Sequence, residues 1–475
     1  FETPRFHAIT DCGAGGFSSA VGEMGEHLGA TVHLEKAPLK YEGLTPTEIW
    51  ISEAQERMVL SVPPAMLDDL KGICAEEHVE LAVLGTFGTP GRELVLRYAN
   101  LEVGRMPMAL LHEGIPEPTR HAHWTRPTPT RTSRESPPLD EALRTLIADP
   151  RIASKHWIIR QYDHEVQGNL VVKPLVGHGG PGNASVLQPV ATSTRGFAVG
   201  CGLATGLGDP RAGGDPYVMA LAAIDECVRN LVSVGVDPER IAILDNFCWP
   251  SCRKPENLGA LVRASVGCYD GAKAYRTPFV SGKDSLNNQF TTEDGRTIEI
   301  PPTLLITGLG ILDDVRRAVT PDAKRGGNRL ILVGDTQDAL AGSTWWSHWG
   351  GEGLPTVDLD VMPRTAREVA RLIASGIVRS CTDVSDGGAL TAIAEMCIGG
   401  DLGAEVDLDA IHDDATIGAF GESPGRYILE VEPQHAHQVV GHRIGWVRDD
   451  RVLRFGAMAC DIADLRARWR ATLDW

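Results

Sequence analysis

Apolar positions along this 475-residue chain fall into two rhythms, and the switches between them outline its elements. Short runs at 169–175, 240–244, 278–280 and 303–311 are rich in Val, Ile and Leu, which predicts strands. Over 216–234 the chain is rich in alanine with apolar residues at helical spacing, which predicts one long helix. Residues 116–138 have no apolar period and are crowded with Pro, Thr, Ser and Arg, so they read as a linker or surface loop.

The most informative pattern is a repeat. Thr10-Asp11-Cys12-Gly13-Ala14-Gly15-Gly16 is echoed 372 residues later by Thr382-Asp383-Val384-Ser385-Asp386-Gly387-Gly388. Leu28-Gly29-Ala30-Thr31-Val32-His33-Leu34 is echoed 374 residues later by Leu402-Gly403-Ala404-Glu405-Val406-Asp407-Leu408. A third match aligns Arg57-Met58-Val59-Leu60 with Arg426-Tyr427-Ile428-Leu429. Three matches in one order predict a duplicated domain. Each copy should hold a Gly-rich loop, a helix (18–28 and 389–398), an alternating strand and a second strand ending near a proline.

A different domain separates the copies. The predicted fold is α/β, mixed α+β in detail, with a first B-type domain at 1–115, a linker at 116–138, an A-type domain at 139–325 and a second B-type domain at 326–475. A duplicated A-B unit would open with another A. A first A domain is therefore expected upstream or on a companion chain, an expectation strengthened by a start at Phe1-Glu2-Thr3 without methionine.

Charge changes the picture of function more than of fold. A formal charge of -18 and a pI near 5.3 oppose general binding to nucleic acid or anionic membrane, so a phosphorylated substrate would need a local cation or a metal. Ten cysteines are scattered, and the nearest pair, Cys248 and Cys252, lacks the further ligands of a zinc site, which predicts reduced thiols. No apolar run approaches the ~18 residues of a membrane span, and no secretory leader opens the chain, which points to the cytoplasm.

Candidate chemistry is densest between 244 and 288. Asp245 follows the run at 240–244, placing a carboxylate at a strand end, where ligands of α/β folds commonly bind. Ser281-Gly282-Lys283-Asp284-Ser285 combines a glycine for close backbone approach with a cation and hydroxyls for phosphate, or forms an ordinary turn. It is not a Walker A loop, because Thr277 stands where that motif has glycine. Gly177-His178-Gly179-Gly180-Pro181-Gly182-Asn183 is a second Gly-rich loop, suited to covering phosphate or to joining strands. Asp11, Asp383 and Asp386 precede paired glycines and could bind Mg²⁺ through hard oxygens or cap a helix.

Five strings together resemble the synthetase subunit of the phosphoribosylformylglycinamidine synthase family. They are residues 9–23, Ile51-Ser52-Glu53-Ala54-Gln55-Glu56-Arg57-Met58, Arg160-Gln161-Tyr162-Asp163-His164-Glu165-Val166-Gln167-Gly168, 245–250 and 281–288. The resemblance implies an A-B-A-B architecture, of which this chain would hold B-A-B. It also implies an ATP- and Mg²⁺-dependent ligase that turns the amide of formylglycinamide ribonucleotide into an amidine. Carried over by motif, Asp11 would ligate Mg²⁺; Glu53, Ala54 and Gln55 would line the substrate site, with Ser285 also touching substrate; Asp245 and Gly282 would contact ATP. Asp383 and Asp386 would belong to an auxiliary nucleotide or metal position.

Lys283 departs from smaller relatives that carry asparagine there. Protonated lysine cannot ligate Mg²⁺, so its charge is assigned to phosphate. The family's catalytic histidines lie in the first A domain, so no catalytic residue is expected here, and His7 and His164 are read as structural or substrate-adjacent. The implied partners are the missing N-terminal domain or companion chain, a glutaminase and a small accessory subunit. A single A-B enzyme of the same superfamily fits the duplication less well, and a non-catalytic nucleotide-binding scaffold fits the retained polar residues less well.

Overall fold

The computed structural model describes residues 5–54, 56–114, 116–130, 134–162 and 165–474. They divide into two compact units, Phe1–Thr119 and Arg120–Trp475.

In the first unit, strand Ala8–Asp11 pairs antiparallel with Met58–Ser61, with Asp11 opposite Met58 and Thr10 opposite Val59. Gly15 and Gly16 then turn the chain with φ of +86° and +56°. A Cβ on Gly16 would lie 2.2 Å from the Ser52 carbonyl oxygen, so only glycine permits the turn into helix Phe17–Gly25. That helix buries Phe17, Ala20 and Val21 in a core shared with Val32, Leu94 and Met108. Strand Ala30–His33 is flanked by antiparallel Gly85–Phe87 and parallel Glu93–Tyr98, which Leu101–Pro107 extends.

The second unit contains a six-stranded sheet in the order Phe279–Ser285, Ile241–Cys248, Thr303–Leu312, Gly196–Leu203, Ser185–Leu187 and Leu170–Val172. Helices Pro216–Ser233 and Pro255–Tyr275 pack on each other, and the first of them also packs on this sheet. Asp245 falls inside strand Ile241–Cys248 rather than at its end, and 281–285 form an edge strand rather than a loop. Ser, Gly, Lys and Asp are weak strand formers. The parallel ladder from Leu244 opposite Ser281 to Cys248 opposite Ser285 overrides that preference.

The seven-stranded sheet repeats the first unit's plan in longer form. Val378–Asp383 pairs with Tyr427–Val431, with Asp383 opposite Tyr427 and Thr382 opposite Ile428, the same register as in the first copy. The Gly387-Gly388 turn and helix Gly388–Gly400 follow, then Gly403–Val406, which pairs antiparallel with His442–Arg448 and parallel with Val452–Phe455. One strand, Arg329–Val333, joins Tyr427–Val431 to His442–Arg448. The first unit has no counterpart of it among the described residues, so its equivalent strands form two separate sheets.

Tertiary packing reassigns two segments. Within 116–138, residues 120–130 belong to the second unit and bond to it: the His123 N–H donates to the Pro255 carbonyl (2.9 Å), Arg126 pairs with buried Asp215 (2.9 Å), and the Thr130 N–H donates to the Arg211 carbonyl (3.1 Å). Helix Leu139–Leu146 buries Leu143 and Leu146 among Leu390, Ile393 and Trp469, in the core of the second repeat rather than that of the six-stranded sheet. All ten cysteines are free thiols. Among the described residues no helix is long and apolar enough to cross a membrane.

Candidate functional site

In the first repeat the chain brings Asp11 and the 52–57 segment together. The Cys12 N–H donates to the Arg57 carbonyl (2.9 Å) and the Ala54 N–H to the Cys12 carbonyl (3.3 Å), so Glu53 and Ala54 lie against the residue that follows Asp11. Asp11 and Glu53 are exposed, and neither carboxylate makes a hydrogen bond or ion pair among the described residues. Gln55 and His164 lie outside the described residues. Neither Asp11 nor Asp383 is a helix cap: both end strands, and the residues at the cap positions are Gly16 and Gly387.

The second group lies at the edge of the six-stranded sheet. Asp245 stands opposite Gly282 on the neighbouring parallel strand, and a Cβ at Gly282 would come within 2.4 Å of an Asp245 carboxylate oxygen. The bare backbone at 282 is therefore what leaves room for the acid. Burial and the nearby Asp284 charge raise the Asp245 carboxyl above its ordinary range, while the Lys283 backbone N–H, donating to it, acts the other way. Lys283 is exposed and has no ion-pair partner among the described residues. The Ser285 carbonyl accepts from the Trp249 N–H (2.8 Å), which orients the end of this strand.

The third group surrounds the second Gly-Gly turn and was largely invisible in the sequence. Arg229, buried on the long helix, donates to Asp225 (2.6 Å), Asp383 (2.8 Å), the Val384 carbonyl (2.9 Å) and Ser385 (3.1 Å). Asn183 donates to the other Asp383 oxygen (2.7 Å) and to Asn230 (2.9 Å). Both oxygens of Asp383 are thus occupied by protein donors. Asp386 is exposed at this turn, with Arg151 and Lys155 supplying opposite charge. Burial raises Glu422 to about 8, reinforced by the Asp386 charge, while its Oε1 accepts from the Gly387 N–H (2.6 Å) and the Thr344 N–H (2.8 Å). Burial raises Glu395 to about 8 as well.

The second Gly-rich loop is not an open flap. Leu175–Val176 and Gly180–Pro181 form a tight antiparallel pair, and a Cβ on Gly177 would meet the Gly399 carbonyl oxygen at 2.2 Å. Its glycines serve close packing against the end of helix Gly388–Gly400, and its last residue, Asn183, delivers an amide to Asp383. Among the described residues no three His, Cys, Asp or Glu side chains converge to hold a metal ion. A polar i, i+4 pair inside an alanine-rich helix, Asp225 with Arg229, was the one sequence signal for the buried cluster.

Comparison with known proteins matches this arrangement. The model of AIR synthase related protein, C-terminal domain, fits residues 3–96 and again 325–442, and that of the N-terminal domain fits 182–312. The phosphoribosylformylglycinamidine synthase subunit PurL of Rhodospirillum rubrum is 34% identical over 450 residues, covering 90% of this chain and 57% of that protein. Its Methanocaldococcus jannaschii namesake is 33% identical over 453 residues, covering 92% and 60%. The chain therefore spans about three fifths of the length of these relatives. The structure of Thermotoga maritima PurL complexed with ADP shares the fold at a TM-score of 0.65 and 22% identity, covering 93% of this chain and 64% of that one. With a C-terminal-type domain on each side of an N-terminal-type domain, and the same strand register in both copies, this chain is built of AIR synthase related domains and is similar over about nine tenths of its length to phosphoribosylformylglycinamidine synthase subunits.

Proposed function

We propose that this chain forms the greater part of an ATP-dependent carbon–nitrogen ligase that converts formylglycinamide ribonucleotide to formylglycinamidine ribonucleotide in purine biosynthesis. ATP phosphorylates the amide oxygen, and ammonia from glutamine then adds to that carbon. The carbon–oxygen bond breaks, inorganic phosphate leaves, and the amidine remains. The protein's task is positioning and charge stabilisation. Solved Thermotoga maritima PurL complexes contain ADP and FGAR, ligands of the kind this reading requires.

Asp245 and Gly282 are assigned to ATP. Their face-to-face packing at an exposed strand edge is the observation that carries the reading, because it offers a nucleotide a carboxylate acceptor and open backbone together. For phosphate, Lys283 supplies an ammonium without an ion-pair partner among the described residues; Glu53, Ala54 and Gln55 in the first unit and, separately, Ser285 in the second are assigned to substrate. Asp11 suits Mg²⁺ as a hard donor with no partner among the described residues, since that ion keeps several waters and completes its shell with phosphate oxygens. Bound Mg²⁺ would supply charge neutralisation on the transferring phosphoryl group. In the second repeat, Asp386 faces the opening of an auxiliary nucleotide or metal position, and Asp383 braces it from behind through Arg229.

Activity on this reading requires an N-terminal A-type domain or companion chain, with a glutaminase and a small accessory subunit delivering ammonia, all in the cytoplasm. Two facts support the need for a further piece: the chain spans about three fifths of its relatives, and the first repeat lacks a strand equivalent to Arg329–Val333 among the described residues. Phosphate release from ATP, assayed on the completed protein with ammonia, should depend on formylglycinamide ribonucleotide. It should fall below about 1% in Asp245→Ala. Undiminished release by that variant, or release indifferent to this substrate, would overturn the reading.

A further inference from the structure

The two repeats share a clamp that the matches in sequence did not announce. In the first, Arg57 Nη2 donates to the Ser52 carbonyl, five residues upstream, at 3.1 Å. In the second, Arg426 Nη2 donates to the Gly421 carbonyl, also five residues upstream, at 2.6 Å. The carbonyl gripped in each case belongs to the residue immediately before a glutamate, Glu53 in one copy and Glu422 in the other. The backbone bonds that tie each arginine to its Gly-Gly turn also correspond: the Cys12 N–H donates to the Arg57 carbonyl (2.9 Å) and the Val384 N–H to the Arg426 carbonyl (3.1 Å).

In the second copy the consequence of the clamp is visible. Arg426 is fully buried and also donates to the Ser423 carbonyl (2.9 Å) and to Thr336 (2.9 Å). The carboxylate of Glu422, so held, accepts the N–H groups of Gly387 and Thr344. In the first copy the guanidinium instead lies 3.8 Å from the centre of the buried Phe17 ring, beside Cys12. Glu53 there makes no bond among the described residues. A planar, fork-shaped cation stacked on a ring and gripping one carbonyl restricts the backbone far more than a lysine could.

We propose that Arg57 is a positioning residue: stacked on Phe17 and bonded to the Ser52 carbonyl, it fixes the direction in which Glu53 and Ala54 meet the ribonucleotide substrate. The inference rests on the reading of that segment as the substrate site, and it adds a residue that acts through Glu53 rather than on the substrate itself.

The test uses the full-length protein assembled with its partners, with steady-state kinetics and melting temperature measured for Arg57→Lys, Arg57→Met, Glu53→Gln and the Arg57→Lys/Glu53→Gln double variant. Arg57→Lys should raise KM for formylglycinamide ribonucleotide about tenfold while KM for ATP and the melting temperature hold. The double variant should be no worse than Glu53→Gln alone, because the arginine's effect runs through the glutamate. Should Arg57→Met fail to fold, Arg57→Lys still decides. If Glu53→Gln raises KM and Arg57→Lys does not, or if the two effects simply multiply, the positioning role is overturned and the substrate site survives. If Glu53→Gln leaves KM unchanged, it is the assignment of the substrate site that fails.

Discussion

The two copies of the repeated domain share a strand register, a Gly-Gly turn and an arginine clamp, yet they treat their charges in opposite ways. In the second copy two acids at the turn have internal partners: Asp383 is taken by Arg229 and Asn183, and Glu422 by two backbone N–H groups. In the first, Asp11 and Glu53 stand exposed without protein partners among the described residues. A carboxylate already bonded on both oxygens contributes to stability and has little left for a ligand; one left open contributes almost nothing to the fold and is available to a cation or substrate. The duplicated lobe thus has one copy in which Asp383 and Glu422 are paired internally and one in which Asp11 and Glu53 are left open among the described residues.

The largest expected effect comes from the brace. Arg229→Met leaves Asp225 and Asp383 buried without their counter-charge, and urea unfolding should report a loss of about 3–5 kcal/mol in the second unit. A loss below about 1 kcal/mol would show that the cluster is replaceable and the comparison superficial. The same substitution made in each copy sharpens the contrast. Asp383→Asn should cost about 1–3 kcal/mol because it weakens the bond to a buried guanidinium. Asp11→Asn should leave stability within about 0.5 kcal/mol and abolish Mg²⁺-dependent phosphate release.

The smallest effect is a slope with pH. Burial raises Glu395 to about 8, above the ~4.3 of an unfolded glutamate. Between about pH 5 and 8 the native state therefore holds a proton that the unfolded chain has lost, so stability falls as pH rises through that window and levels off above it. Melting temperatures across the window should decline less steeply in Glu395→Gln. An unaltered slope would mean that Glu395 ionises freely.

Much of this was legible because it is local. The repeated Thr-Asp-x-x-x-Gly-Gly string aligned Asp11 with Asp383, and in the folded chain these two residues do occupy the same place in the same antiparallel pair. Helix 216–234 was predicted within one residue of the observed Pro216–Ser233, since alanine and helical periodicity suffice to place it. Of edge strand Phe279–Ser285 only the start was legible, as the run at 278–280; residues 281–285 disfavour strands, and only the neighbouring ladder makes them extended. The docking of the proline-rich segment through Arg126 and Asp215 joins residues 89 positions apart, and nothing in either neighbourhood announces the other.

By itself, then, the sequence determined the long helix, several strands and the duplication, because backbone preference, periodicity and glycine turns act over a few residues and leave marks there. Only the tertiary structure decided which copy is braced and which is open. That outcome depends on Arg229 reaching Asp383 across 154 residues and on Asp11 and Glu53 being left without carboxylate partners among the described residues. Pairing of charges is a property of distance in space, and chain position does not encode it.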